Sequence, residues 1–371
     1  MTHPQPKTIA FCIEALTVGG AEQMLVAMAN EFIERRWQVH MICLSKPGEL
    51  ADKLDASVHL HVLNKKPGAD LSLPKRLRAL LLGINPIAVN SHLWTANLWT
   101  RVSLIRSSIP IVVTEHSRDF WKPRHYRMLD RLLIRTTLKL VAVSNDTADF
   151  YKDDIGIAAD KVMVINNGVN TKRYANGDGN ALKQQWAPNN ELLIGTVGRM
   201  VEAKNHKRLV QVAALLESRM NNFKIILVGD GELRHAIEAA VESKGVHKVL
   251  HLAGARSDIP DVLAAFDLFV LTSDREGHPL TALEAQAAAT PVVLTNAGGS
   301  ADAVASDGVH SGGQLVEKDA NAVADAIVDL TQNREALNAM GEFAQHYALQ
   351  HFDLQHMVDQ YETLFTADQG V

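Results

Sequence analysis

Two cysteines in 371 residues leave no material for a disulfide framework. Cys12 and Cys43 both fall in apolar, strand-like runs, so they read as reduced core residues and not as a crosslink or a metal pair. Charge of one sign is missing too. The 37 Lys and Arg face 42 Asp and Glu, a net −5 that argues against a general nucleic-acid binder. No apolar run reaches the length of a membrane span. Met1 to Lys7 lead directly into the strand-like Thr8 to Ile13 without the apolar core of a signal peptide, so a cytoplasmic location is expected. Internal repeats and low-complexity tracts are absent as well. The three-glycine dinucleotide fingerprint is incomplete, because Gly229-Asp230-Gly231-Glu232-Leu233-Arg234 sets Arg234 where the third glycine belongs. That disfavours a nicotinamide dehydrogenase.

What is present is ordinary globular material, 47% hydrophobic and 21% charged, long enough for two cores. Short β-rich runs at Thr8 to Ile13, Val39 to Leu44, His59 to Leu63, Ile87 to Asn90, Ile111 to Thr114 and Val141 to Val143 are mostly separated by helical stretches. In the first of these helices Leu25, Met28, Ala29 and Phe32 recur at helical spacing. A second strand series runs through Leu193 to Val197, Lys224 to Val228, Val249 to Leu252, Leu268 to Leu271 and Pro291 to Leu294. The alternation predicts an α/β protein with two doubly wound parallel, Rossmann-like sheets. Turn-rich Asn166-Asn167-Gly168-Val169-Asn170 marks the join, giving domains 1–165 and 166–352 with a last helical segment, 353–371.

Three places offer chemistry. Gly19 and Gly20 join the first strand to the first helix, so bare N–H groups there suit an anion, although a tight turn explains them equally well. In the matching turn of the second half, Arg199 and Lys204 follow a strand end and suit a diphosphate. Glu276 lies on a loop beyond a strand, and Glu284 lies about two helical turns later, roughly 12 Å along the axis. Two carboxylates so spaced suit different parts of one elongated polyhydroxylated ligand. The plain alternative is a cap and a solvated helix face.

Together these residues resemble the family 4 retaining glycosyltransferases (glycosyl transferases group 1) of the two-domain GT-B fold. The likeness covers nearly the whole chain. It rests on Gly19-Gly20-Ala21-Glu22, His116 in Val113-Thr114-Glu115-His116-Ser117, Val164 to Asn170, Gly198-Arg199 to Lys204-Asn205, Gly229-Asp230-Gly231, the Glu276 and Glu284 pair, and Pro291 to Gly299. The resemblance implies a nucleoside diphosphate sugar as co-substrate, UDP-linked before GDP-linked, and a hexose-type unit passed with retention to a glycan or lipid-linked glycan. It assigns Arg199 and Lys204 to the pyrophosphate, Glu284 to the ribose and Glu276 to the sugar. Gly229, Gly277, His278, Pro279 and Leu280 complete the donor contacts, Gly19 and Gly20 close over the phosphates from the other domain across a cleft, and His116 sits beside the reacting carbon. The last helix is expected to pack back on the N-terminal domain. The chain lacks the Asp-x-Asp motif that holds a metal in the other main glycosyltransferase fold, so no metal or other cofactor is expected.

His278 departs from the family, which commonly has a large apolar residue there, so a polar ring near the sugar hydroxyls is expected to alter sugar selection. His92 and Arg118 are acceptor-side candidates. Arg124, Arg127, Arg131 and Arg135 form one helical stripe with Trp121, Lys122 and Tyr126 near its start, interrupted by Asp130. Such a stripe suits peripheral contact with anionic lipid on the cytoplasmic membrane face, against a merely solvated face. Other readings of the chain are a GT-B sugar phosphorylase, a nucleotide-sugar epimerase and a non-catalytic sugar-nucleotide binder.

Overall fold

The computed structural model describes residues 6–119 and 121–367. The chain divides into two compact units, one holding the residues up to Asn167 and those from Leu354 onward, the other Gly168–Asp353. Each is built on an all-parallel sheet.

The first sheet joins β1 (Thr8–Ile13), β2 (Gln38–Cys43), β3 (His59–Val62), β4 (Ala88–His92), β5 (Ile111–Glu115), β6 (Lys139–Ala142) and β7 (Val162–Val164) in the order β3-β2-β1-β4-β5-β6-β7. The second joins β8 (Leu192–Val197), β9 (Phe223–Val228), β10 (Leu250–Gly254), β11 (Leu268–Leu271), β12 (Val292–Thr295) and β13 (Gly313–Val316) in the order β10-β9-β8-β11-β12-β13. Helices cover both faces, so the central strands are buried on either side and read as continuous apolar runs. Strand order reverses between β1 and β4 in one sheet and between β8 and β11 in the other. Ligands of such sheets bind beyond the carboxyl ends of the strands at that reversal. Arg199 follows β8 and Glu276 follows β11, while His92 ends β4 and His116 follows β5.

The first helix, Gly20–Glu34, buries Leu25, Met28, Ala29 and Phe32, as the periodicity predicts. The edge strands β7 and β13 are absent from the sequence-based expectation. The final helix, Leu354–Thr366, belongs to the first unit, where Phe365 meets Phe32 at 5.9 Å between ring centres. Arg35 pairs with Asp359 and Glu362 beside it, at 2.5 and 3.0 Å. No helix of the described residues is long and apolar enough to cross a membrane.

Candidate active site

In the second unit the turns after β8 and β9 are stitched together. Gly198 N–H donates to the Val228 carbonyl at 3.0 Å and Met200 N–H to the Asp230 carbonyl at 2.8 Å. Gly229 has φ +138°, and a Cβ there would fall on the Gly198 carbonyl oxygen, so only glycine lets the turns close. Arg199 is thereby presented at the tip, exposed and without an ion pair among the described residues.

Lys204 and Glu276, far apart in sequence, form a 2.7 Å ion pair in which the carboxylate is 8% exposed. The loops carrying them are braced. Asp274 N–H donates to the Ala203 carbonyl at 2.8 Å, and Arg208 reaches both the Thr272 carbonyl at 2.7 Å and the Asp274 carboxylate at 2.6 Å. Ser273 donates to the same Glu276 oxygen at 2.6 Å. Glu276 is held on its main chain too, donating to Ala297 and accepting from Gly299 at 2.7 and 3.1 Å. A carboxylate fixed this way has oxygen lone pairs ready for hydroxyl groups, with an ammonium at its side.

From there the chain passes through Gly277, His278 and Pro279 into the helix Leu280–Ala287, which has no side-chain cap. Ala282 N–H donates to the Pro279 carbonyl at 3.1 Å, and the Thr281 hydroxyl oxygen is buried without a hydrogen-bond partner among the described residues. Further along, Glu284 accepts a 2.6 Å hydrogen bond from the Tyr174 hydroxyl of the short helix Thr171–Ala175. Burial raises the Glu284 pKa, and Tyr174 and the nearby Arg173 oppose that rise. His278 follows Glu276 and Gly277 on the same turn. Its ring is buried at 4% exposure, lies 3.2 Å from the Asp302 carbonyl oxygen and packs edge-on against Phe352.

In the first unit, Gly19 caps the helix that begins at Gly20. The Glu22 carboxylate lies beside Gly19 and accepts from the Thr17 hydroxyl at 3.2 Å. His92 and His116 come together, with Nδ1 of His92 3.0 Å from Nε2 of His116. Parallel pairing explains this, since His92 lies opposite Thr114 and His116 is two residues further. Arg118 makes a two-pronged pair with Asp146.

The basic stripe is altered as well. Lys122 is fully buried among Asp119, Asp130 and Glu115 at 3.0, 3.1 and 3.6 Å. Asp130 lies on the inner side of the helix, paired with buried Arg101 at 2.6 Å, so it does not interrupt the outer face. Arg127 donates to the Lys122 carbonyl at 3.2 Å and Arg131 to the Ile155 carbonyl, while Arg124 and Arg135 are exposed and make no such bond among the described residues. Tyr174, Ser273, Thr281 and Asn90 went unnoticed in the sequence, because hydroxyl and amide residues carry no periodic signal. Two shallow surface depressions, one beside Pro86, Pro110 and Phe365 and one beside Glu191, Lys224 and Lys248, hold none of the site residues.

The chain is similar to known proteins along most of its length. Residues 18–173 match the family model Glycosyltransferase Family 4, and residues 179–347 match Glycosyl transferases group 1. The chain is 26% identical over 353 residues to the UDP-Gal:alpha-D-GlcNAc-diphosphoundecaprenol alpha-1,3-galactosyltransferase of Escherichia coli, covering 89% of each chain. It is 24% identical over 368 residues to N-acetyl-alpha-D-glucosaminyl L-malate synthase of Bacillus anthracis, covering 94% of each. Among solved structures, Anabaena HepE in complex with UDP superposes with a TM-score of 0.85 at 21% identity, over 97% of this chain and 100% of that one. With two parallel α/β units, charged groups gathered beyond the strand ends and both family models matched in turn, the chain belongs to the family 4, group 1 glycosyltransferases and has their GT-B fold.

Proposed function

We propose that this glycosyltransferase moves a hexose-type sugar, with retention, from a nucleoside diphosphate sugar to a hydroxyl of a glycan or lipid-linked glycan in cell-surface polysaccharide or glycolipid biosynthesis. The observation that carries the reading is the braced Lys204–Glu276 pair, with Lys204 on the same strand-end loop as Arg199, which is exposed and has no ion pair among the described residues. Arg199 and Lys204 neutralise the diphosphate, and the N–H groups around Gly277 and Leu280 donate to it. Glu276 orients hydroxyls of the sugar, and Glu284 those of the ribose. UDP is the favoured nucleotide, in keeping with the Escherichia coli relative's UDP-Gal and the UDP bound to HepE.

Glu276 is held by Lys204 and Ser273 and suits binding better than nucleophilic attack. The bond from the anomeric carbon to the phosphate oxygen breaks, the acceptor oxygen bonds to that carbon on the same face, and its proton passes to the departing phosphate. The two cations stabilise the charge left on the diphosphate without a metal ion. The protein works in the cytoplasm, with the helix Arg124–Leu133 resting on the membrane face that carries the acceptor.

Calorimetric titration with UDP-, GDP- and ADP-hexoses and with NAD, in chelator, tests this. Saturable binding of one sugar nucleotide and none of NAD is expected. Glu276→Ala should then lower turnover by about 100-fold or more while nucleotide diphosphate affinity is kept, since the ammonium of Lys204 is freed. Binding that requires a divalent ion, or collapse of nucleotide affinity in the variant, would overturn these roles.

A further inference from the structure

A main-chain carbonyl only accepts hydrogen bonds, and one such group fixes the polarity of a chain of side chains in the first unit. The Val112 carbonyl lies 3.2 Å from the Asn90 side-chain nitrogen, which also donates to the Thr114 hydroxyl oxygen at 3.0 Å. The other terminal atom of Asn90 is therefore its oxygen, whichever way the amide is drawn. That oxygen lies 2.8 Å from Nε2 of His92, so His92 carries a hydrogen on Nε2.

His92 is completely buried. Among the described residues its ring neighbours are Asn90, His116 and Phe11, and no carboxylate lies there to favour the imidazolium. Burial, and after it the neighbouring His116, lower its pKa well below the usual value, so the ring is neutral and holds a single hydrogen. With that hydrogen on Nε2, Nδ1 is bare. Nδ1 lies 3.0 Å from Nε2 of His116, and two bare nitrogens at that distance would repel. His116 Nε2 must carry the hydrogen between them. Burial lowers the pKa of His116 to about 4, so this ring too holds one hydrogen near neutral pH. Its Nδ1 is left as a lone pair, and no described residue donates to it.

We propose that Asn90 and His92 are positioning residues that lock His116 in the Nε2–H tautomer, so that His116 meets a substrate hydroxyl as a hydrogen-bond acceptor through Nδ1. This rests on the sugar-transfer reading. It gives His116 a task that excludes two others, since a neutral ring with its hydrogen committed to His92 neither protonates the departing phosphate nor neutralises it as a cation. The ring receives a hydroxyl hydrogen bond and holds the sugar or acceptor oxygen in one orientation. The relay extends beyond Asn90, because the Thr114 hydroxyl that accepts from Asn90 is 3.2 Å from the Tyr361 hydroxyl of the final helix.

Two-bond proton–nitrogen correlation spectra of the full chain with nitrogen-15 histidine, recorded without ligand at neutral pH, read the tautomer directly. The His116 signals are assigned by their loss in His116→Gln. A protonated Nε2 and a bare Nδ1 are expected at His116, and the reverse pattern or an imidazolium overturns the proposal. In the transfer assay, His92→Leu removes the acceptor and should lower kcat/KM about three- to tenfold, the weight of one neutral hydrogen bond. His92→Gln, whose amide offers an oxygen to His116 and an N–H to Asn90, should recover most of that loss with the tautomer kept. Equal losses in the two variants would mark a merely structural role and overturn the positioning assignment. Failure to bind any sugar nucleotide would instead defeat the transfer reading, and the ligand-free spectrum decides the tautomer regardless.

Discussion

Glu115 closes β5 with its carboxylate 3.6 Å from the ammonium of Lys122 and almost no exposure. The ammonium is shared with Asp119 and Asp130, so it does not fully offset the cost of burying another negative charge. Burial is the larger effect, and it pushes the Glu115 carboxyl from its ordinary 4.5 up to about 7. Between those values the folded chain holds a proton that the unfolded chain has released, so stability present at the acid end is lost as pH rises through the window. Thermal unfolding of wild type measured against Glu115→Gln should show the gap between the two closing towards pH 4.5 and widening towards pH 7, with the variant more stable at the upper end. A gap independent of pH would show that Glu115 is ionised throughout. The network also shows what was illegible in the sequence. Lys122 looks like part of a surface stripe beside Trp121, yet its partners arrive from separate segments that only the folded sheet gathers. His92 and His116 were legible because each ends or follows a strand, and strands in parallel register deliver such residues to one edge.

At the scale of elements, the helix Arg124–Leu133 has two unlike sides. Asp130 and Leu133 turn inward. Outward lie Met128 and Leu132, 58% and 55% exposed, with Trp121 ahead of them at 61% and Arg124, Arg131 and Arg135 exposed around them. Large apolar side chains open to water in the company of arginines suit the boundary of an anionic bilayer, where the apolar groups enter the acyl region and the cations meet phosphates. Each arginine near such a surface contributes about 1 kcal/mol. Arg124→Glu with Arg135→Glu should therefore abolish cosedimentation with vesicles containing phosphatidylglycerol, and Trp121→Ala with Met128→Ala should weaken it. Binding that survives both pairs would sink the membrane role for this helix. Whole elements were mostly legible from periodicity, and the exceptions share a cause. β7 and β13 are edge strands of their sheets with one bonded neighbour each: β7 is only three residues long and runs straight into the turn-rich Asn166 to Asn170, and β13, Gly313–Val316, carries a glycine and a glutamine among its four residues. The Glu276 and Glu284 spacing was legible as a pattern, whereas the Tyr174 partner of Glu284 comes from a five-residue helix whose role depends on tertiary packing alone.

At the scale of the molecule, the first unit is completed by a helix that follows the whole of the second unit in sequence. Leu354–Thr366 buries Met357, Val358, Tyr361, Leu364 and Phe365, while Arg35 and the Trp37 indole N–H hold its outer carboxylates. Each large apolar side chain contributes about 1.5–3 kcal/mol by burial. Their sum, on the order of 10 kcal/mol, matches the whole net stability of an ordinary domain, roughly 5–15 kcal/mol. Against that sum the exposed ion pairs are minor, worth about 0–1 kcal/mol each. The first unit is therefore expected to depend on the final helix for its fold, and the second unit is not. Trp37, Trp94, Trp99 and Trp121 belong to the first unit and Trp186 to the second, so tryptophan emission in a Trp186→Phe background reports on the first unit alone. Ending that chain at Asp353 should shift its emission to the red and remove its cooperative thermal transition, while calorimetry of the truncated protein keeps the transition of Gly168–Asp353. Leu364→Ala in the full chain gives a graded version of the same loss, lowering the first transition by an amount in keeping with about 2–5 kcal/mol. An unchanged first transition in the truncated chain would mean that residues up to Asn167 close their own core, and the final helix would then be a passive cover.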